Sequence, residues 1–224
     1  MKKYYIYEMK LLSLNLFSLI LFALIVIVSF VIDKTLLLKS IIIEDYYDFI
    51  LQMILYMCFH EVIHSITYVV YGAKYKNIIY GASLEKGILY CLCKQNITKK
   101  NILHSLLSPL ILLGIATYII SVIYNLPRLL LLSILNITGC SGDIIMYMFI
   151  KMQNNIEFSE FDSPSEFALY TKEDISSKKP FGLKFLHCKK NIKREDYKKI
   201  QISKTSIGIF IILSIFALII NIIE

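Results

Sequence analysis

Long apolar runs most constrain how this chain can fold. Hydrophobic residues make up 57% of its 224 positions, more than a soluble domain needs for its core. An α-helix of about 20 apolar residues crosses the ~30 Å hydrocarbon core of a bilayer. Five segments approach or exceed that length, at residues 11–32, 49–72, 102–123, 129–150 and 207–224. The sequence therefore predicts an all-α polytopic membrane protein with about five transmembrane helices.

Basic residues predict the orientation of these spans. Lys2, Lys3 and Lys10 precede a first run that lacks a small-residue cleavage site and is too long for a signal peptide, so we expect a retained span. Lysines are also dense after spans two and four, and sparse in the other loops. By the positive-inside rule, this pattern predicts a multi-pass protein of the cytoplasmic (inner) membrane with its N-terminus in the cytoplasm. The net charge of +7 then reflects contact with the lipid bilayer and not with nucleic acid.

The polar segments between and after the spans complete the predicted organisation. Two β-prone runs, 77–80 and 88–93, flank Gly81 and Gly87, which favours a short membrane-associated β-hairpin within residues 73–101. We expect a membrane core over residues 1–150, a small cytoplasmic segment over 151–206 and a C-terminal span over 207–224.

A metal-binding motif lies inside the second span. His60 and His64 are four residues apart, so their imidazoles share one helix face and can reach one ion. Glu61 stands beside the first histidine, where its carboxylate can take a proton from zinc-bound water. Ionisable side chains are costly inside a bilayer unless they are paired or ligating. This cost favours a Zn²⁺ site over the alternative, a satisfied polar cluster without metal.

A catalytic zinc site needs a third protein ligand, and the fourth span supplies a candidate. Asp143 is the only acidic residue of residues 129–150. With ~1.5 Å of rise per residue, His64 lies about 12 Å and Asp143 about 10 Å from the cytoplasmic ends of their spans. The two spans run in opposite directions, yet these side chains reach one level. Gly139 and Gly142 would let the fourth span loosen or approach the second closely.

Other polar residues leave alternatives open. Asn136 could stabilise an oxyanion or hydrogen-bond a substrate backbone, and it could equally serve as a polar contact between helices. His104 and Glu85 are the next candidate ligands after Asp143. A second metal site that combines Cys91, Cys93 and the His187-Cys188 pair fits no common zinc spacing, so the cysteines are expected to be reduced thiols.

The arrangement resembles known membrane peptidases. A His-Glu-x-x-His motif in one span, a hairpin-forming segment and an aspartate in a later span are similar to the layout of site-2-protease-type intramembrane metalloproteases. A closer resemblance is to a bacterial family of uncharacterised membrane proteins described as zincin peptidases. It is carried by His60-Glu61-Val62-Ile63-His64, Ser108-Pro109, Gly142-Asp143 and Asp162-Ser163-Pro164. The resemblance implies His60, His64 and Asp143 as zinc ligands and Glu61 as general base. Site-2 proteases carry a proline in the stretch before the aspartate, whereas this chain has none between Asn136 and Asp143.

The favoured function is a membrane-embedded zinc-dependent endopeptidase that cleaves a membrane-associated protein or peptide. The main alternative is a non-catalytic membrane subunit that binds metal or a partner through the same cluster. A metal transporter would need polar residues along a full pathway, and spans one, three and five lack them.

Overall fold

The computed structural model describes residues 3–42, 45–83, 88–93, 95–159, 166–178, 180–189 and 201–202. The predicted fifth span, residues 207–224, lies outside them. Seven α-helices lie within the described residues, at Leu11–Ile32 (α1), Lys34–Ile41 (α2), Tyr46–Val70 (α3), Lys99–Pro109 (α4), Thr117–Ile123 (α5), Pro127–Gly139 (α6) and Ser141–Lys151 (α7). The described strands are Lys3–Met9 (β1), Ile78–Ser83 (β2), Ile88–Cys93 (β3), Ile97–Thr98 (β4), Glu157–Ser159 (β5), Glu166–Thr171 (β6), Leu183–Lys189 (β7) and Gln201–Ile202 (β8).

The prediction of an all-α protein is wrong. An antiparallel five-stranded sheet, the larger sheet, has the order β4-β5-β6-β1-β7, and a smaller sheet has the order β3-β2-β8. Runs of apolar residues indicate helices that cross a membrane, but they carry no information about strands whose partners are distant in the chain. Strand β1 pairs with β6 and β7, so that Tyr5 lies opposite both Leu169 and Cys188.

The larger sheet packs against helix α7. Tyr7 of β1 is fully buried, with its ring 4.8 Å from that of Phe149 on α7 and 5.9 Å from that of Phe167 on β6. Its hydroxyl donates to the Ile175 carbonyl at 2.5 Å, so the buried polar atom is satisfied. Burial raises the pKa of Tyr7, mainly because the phenolate would lose its hydration. The sheet thereby fixes the position of α7 beside it.

Within the described residues, three helices are long and apolar enough to cross a membrane. They cover Leu11–Ile32, Tyr46–Val70 and Lys99–Ile123, and α6 with α7 makes a fourth if that bent pair is one span. Helix α1 exposes most of its apolar side chains, as expected where lipid replaces water. Helix α2 was not expected from the sequence; it packs Leu36 and Leu37 against Leu130 and Ile134 of α6.

Two of these spans are irregular. A π-helical turn, Leu110–Ala116, follows Pro109 and separates α4 from α5. Helices α6 and α7 meet at Cys140 with a bend of 42°. Asp143 therefore lies in the first turn of α7 and not in the middle of a continuous span.

An ion pair connects α6 to α3 at the other end of α6. Arg128 donates to the Asp48 carboxylate at 2.8 Å.

Candidate metal centre

Helix α3 places the two histidines of the motif on one face, toward α4, α6 and α7. His64 is buried and His60 is mostly buried, with their rings 4.9 Å apart and nearly perpendicular. Their Nε2 atoms approach within 3.1 Å of each other. The spacing of four residues thus produces two imidazoles that converge on one point.

Asp143 completes the group from the first turn of α7. Its Oδ2 atom lies 3.2 Å from His60 Nε2 and 3.5 Å from His64 Nε2. Ligand atoms at 2.0–2.1 Å from a tetrahedral zinc ion are about 3.3 Å apart, which is the size of this triangle. Within the described part of the chain, these three residues form the one group of His, Cys, Asp or Glu ligands that could hold a metal ion.

A backbone carbonyl orients His64. Its Nδ1 atom donates to the Ser105 carbonyl of α4 at 3.0 Å. That carbonyl is available because Pro109, four residues later, has no N–H to close the usual helical hydrogen bond. A proline that would weaken an isolated helix therefore supplies the acceptor that fixes this histidine's tautomer and ring orientation.

Asn136 of α6 orients His60 in the same manner. The His60 Nδ1 atom donates to Asn136 Oδ1 at 3.0 Å, and Asn136 Nδ2 donates to the Pro109 carbonyl at 3.2 Å. Both ends of the buried amide are therefore engaged by protein atoms. With each Nδ1 proton committed to an oxygen, each Nε2 lone pair faces the Asp143 carboxylate. Three such atoms within 3.5 Å of one another are suited to hold a cation between them, and the donor set fits zinc.

Glu61 lies between the two histidines in sequence and faces the β2–β3 hairpin. The backbone N–H of Cys91 on β3 donates to its carboxylate. Burial raises the pKa of the Cys91 thiol, and the nearby Glu61 carboxylate adds to that rise. Tyr80 of β2 donates to Ser65 Oγ at 2.5 Å, and burial raises its pKa to about 12. These contacts hold the hairpin against the motif helix.

The other candidate ligands that the structure describes lie apart from this group. His104 stacks on Tyr71 with ring centroids 5.2 Å apart, and Glu85 lies outside the described residues. Cys91 and Cys93 belong to the smaller sheet, whereas His187 and Cys188 belong to the larger one. Sequence reasoning missed the carbonyl of Ser105; the signal for it was the proline four residues later.

Fold and site together indicate a membrane protein with a His-Glu-x-x-His group that is completed by an aspartate and could hold a metal ion. Residues 53–156, slightly less than half of the chain, match the model of a family described as "Putative zincin peptidase". This segment contains the whole metal-binding group and Glu61. The comparison supports a zinc metallopeptidase. No curated protein and no solved structure matches the chain.

Proposed function

We propose that this protein is a membrane-embedded, zinc-dependent endopeptidase that cleaves membrane-associated polypeptide. The observation that carries the proposal is the convergence of His60, His64 and Asp143, with ligand atoms 3.1–3.5 Å apart, beside the Glu61 carboxylate. We also propose that the protein is related to site-2-protease-type enzymes. The support is a similar order of features along the chain: a His-Glu-x-x-His motif in one span, then a β-hairpin, then an aspartate in a later span.

Each residue of the site has a chemical role in this proposal. His60, His64 and Asp143 hold the zinc ion, and Ser105 and Asn136 keep the imidazoles in the ligating tautomer. Zinc, when bound, polarises a peptide carbonyl and lowers the pKa of bound water to about 7. Glu61 accepts the proton of the attacking water and passes it to the leaving amine.

The hairpin is suited to present a substrate. Among the described strands, β3 is at the edge of the smaller sheet, and its Cys91 N–H points toward Glu61. An extended polypeptide can add to such an edge by main-chain hydrogen bonds, which leaves its peptide bonds accessible. A helical substrate must unwind first, because its peptide groups are protected by internal hydrogen bonds.

We also propose that the larger sheet lies in the cytoplasm. The lysine-rich flank of α1 and the basic segment after α7 both contribute strands to this sheet. The positive-inside rule assigns such segments to the cytoplasmic face of the inner membrane. Water then reaches the metal site from that side.

The test separates a peptidase from a non-catalytic subunit. The parent protein and its Glu61→Gln variant are purified, and zinc content and cleavage of a peptide library are measured. A peptidase predicts about one zinc ion in both proteins and cleavage by the parent alone. A non-catalytic metal-binding subunit predicts zinc in both and no cleavage in either. Equal cleavage by both would refute the role of Glu61.

A further inference from the structure

An apolar cavity lies beside the metal-binding group, between α3, β3 and α6. Its volume of about 390 Å³ falls within the ~300–1,000 Å³ typical of ligand pockets. The side chains that make it apolar are those of Met53, Met57, Leu89, Leu132 and Leu135. The proposed ligands and base need no such space, so the cavity is available to another group.

Among the described residues that line this cavity, the one hydroxyl is already engaged. Tyr56 donates to the Leu113 carbonyl at 2.7 Å, and Thr117 Oγ1 is at the same distance from its hydroxyl. Tyr56 therefore presents its ring to the cavity. The polar atoms that remain at its border belong to the site itself, on His60, Glu61 and Asn136. A ligand that fits this cavity should therefore be apolar over most of its surface and should contact polar groups only beside the metal centre.

A second, smaller cavity of about 200 Å³ lies on the Asp143 side of the site. His60, Glu61, Leu89 and Gly139 border both cavities. A polypeptide that extends from one cavity into the other must therefore pass in front of the proposed ligand and base. Leu89 belongs to the edge strand β3, beside which an extended chain would lie.

Gly139 leaves this passage open. A Cβ atom built on Gly139 would meet no atom within 4 Å, and Gly139 is exposed. Gly114 differs, because a Cβ there would lie 2.7 Å from Ile137 Cγ1. Helix packing therefore requires a glycine at position 114 and does not require one at position 139. The space that a side chain at 139 would occupy belongs to the passage between the two cavities.

We infer that the cavity is a specificity pocket for a bulky apolar side chain, of leucine or phenylalanine size, next to the cleaved bond, with Gly139 setting the access to it. The inference rests on the proposed endopeptidase function and names the side chain that the site selects. One methylene in an apolar pocket discriminates by about 10–200-fold. We therefore expect leucine or phenylalanine to be preferred over alanine by at least about 10-fold.

The experiment uses full-length, zinc-loaded protein and a randomised peptide library, with the cleaved bonds mapped by mass spectrometry. The parent should enrich leucine and phenylalanine on one side of the cleaved bond. Gly139→Leu, which fills the passage, should lose that enrichment while keeping its zinc and its cleavage beside small residues. Gly139→Ala adds little volume and should retain the parent's preference.

Leu135→Ala enlarges the pocket and should extend the preference to tryptophan. The matched control is Leu131→Ala, which changes a residue one turn earlier on α6.

A binding selection with the same library on Glu61→Gln protein, with and without Gly139→Leu, provides a readout that needs no catalysis. Large apolar residues should be enriched among the bound peptides only where Gly139 is intact. Glu61-dependent cleavage by the parent without an apolar preference would overturn the pocket and leave the peptidase proposal standing. Absence of cleavage by the parent would overturn the peptidase proposal, and the binding selection would still decide the pocket. Equal enrichment of large apolar residues by the Glu61→Gln protein with and without Gly139→Leu would refute the pocket.

Discussion

At the scale of single residues, Asp143 links the motif helix to α7. Its carboxylate contacts both histidine Nε2 atoms and supplies the one negative charge of the ligand set. Asp143→Asn should therefore weaken zinc binding and abolish cleavage, because a neutral amide is a poor zinc ligand. Asp143→Glu should retain partial binding. Metal analysis and peptide cleavage check both variants.

The contrary result for Asp143 is well defined. If the residue only packs within α7, the nearly isosteric Asp143→Asn should keep both zinc and activity. Stability offers an independent measure, since a bound ligand stabilises the folded state according to its affinity. Loss of the ligand should reduce the rise in melting temperature that added zinc gives to the parent.

Pro109 organises both histidines without touching the metal position. Pro109→Ala restores an N–H that competes for the Ser105 carbonyl, so the hydrogen bond from His64 to that carbonyl is weakened or lost. Loss of such an outer hydrogen bond typically lowers metal affinity by about 10–100-fold. Zinc affinity, measured by competition with a chelator, should fall in this range.

The stability of the same variant separates this effect from general damage. Alanine is a far better helix former than proline, so Pro109→Ala should unfold no more easily than the parent in the absence of zinc. Pro127→Ala is the matched control, because Pro127 is in the first turn of α6, where a proline costs no hydrogen bond. Equal zinc affinity of Pro109→Ala and the parent would contradict this role.

At the scale of elements, the β2–β3 hairpin buries its cysteines against the motif helix. Burial raises the pKa of the Cys91 thiol, so the reactive thiolate appears only at a more alkaline pH than for an ordinary cysteine. At pH 8 a single-cysteine protein with Cys91 should react with a maleimide far more slowly than one with the exposed Cys188. Denaturant should remove the difference. Equal rates in the folded proteins would mean that the hairpin does not pack on α3 as described.

The elements differ in how well the sequence predicts them. The predicted first span coincides with α1, Leu11–Ile32, because hydropathy alone determines a lipid-exposed helix. The sequence also pointed to His60, His64 and Asp143, through helical spacing and equal depth. It indicated that Gly139 and Gly142 could loosen the fourth span, but not that the span bends by 42° at Cys140, since no proline marks the bend. Ser105 was missed because it contributes a backbone carbonyl, which every residue type possesses.

At the scale of the whole molecule, the larger sheet joins segments that flank different helices of the chain. Strand β1 before α1, β4 before α4, and β5 to β7 after α7 all belong to it. The sequence showed the shared charge of these segments but not their pairing, because the partners of β1 are more than 150 residues away.

This arrangement predicts the labelling pattern of single cysteines. On intact cells, an impermeant maleimide should modify Asn125→Cys and Lys34→Cys, which lie at the other ends of their spans. It should modify Lys172→Cys, next to β6, only after the cells are opened. The reversed pattern would place the larger sheet outside the cell, and mixed labelling of residues 34 and 125 would contradict the topology itself.

The central place of β1 has a consequence for how the protein is made. This strand leaves the ribosome before its neighbours β6 and β7, which are synthesised more than 150 residues later. At roughly 5–20 residues per second, β1 waits on the order of ten seconds or more for its partners. Until they arrive, Tyr7 cannot pack between Phe149 and Phe167. A nascent chain that stalls after α7 therefore carries every proposed zinc ligand but lacks the sheet that supports α7, so the site gains this support only after β6 and β7 have been synthesised.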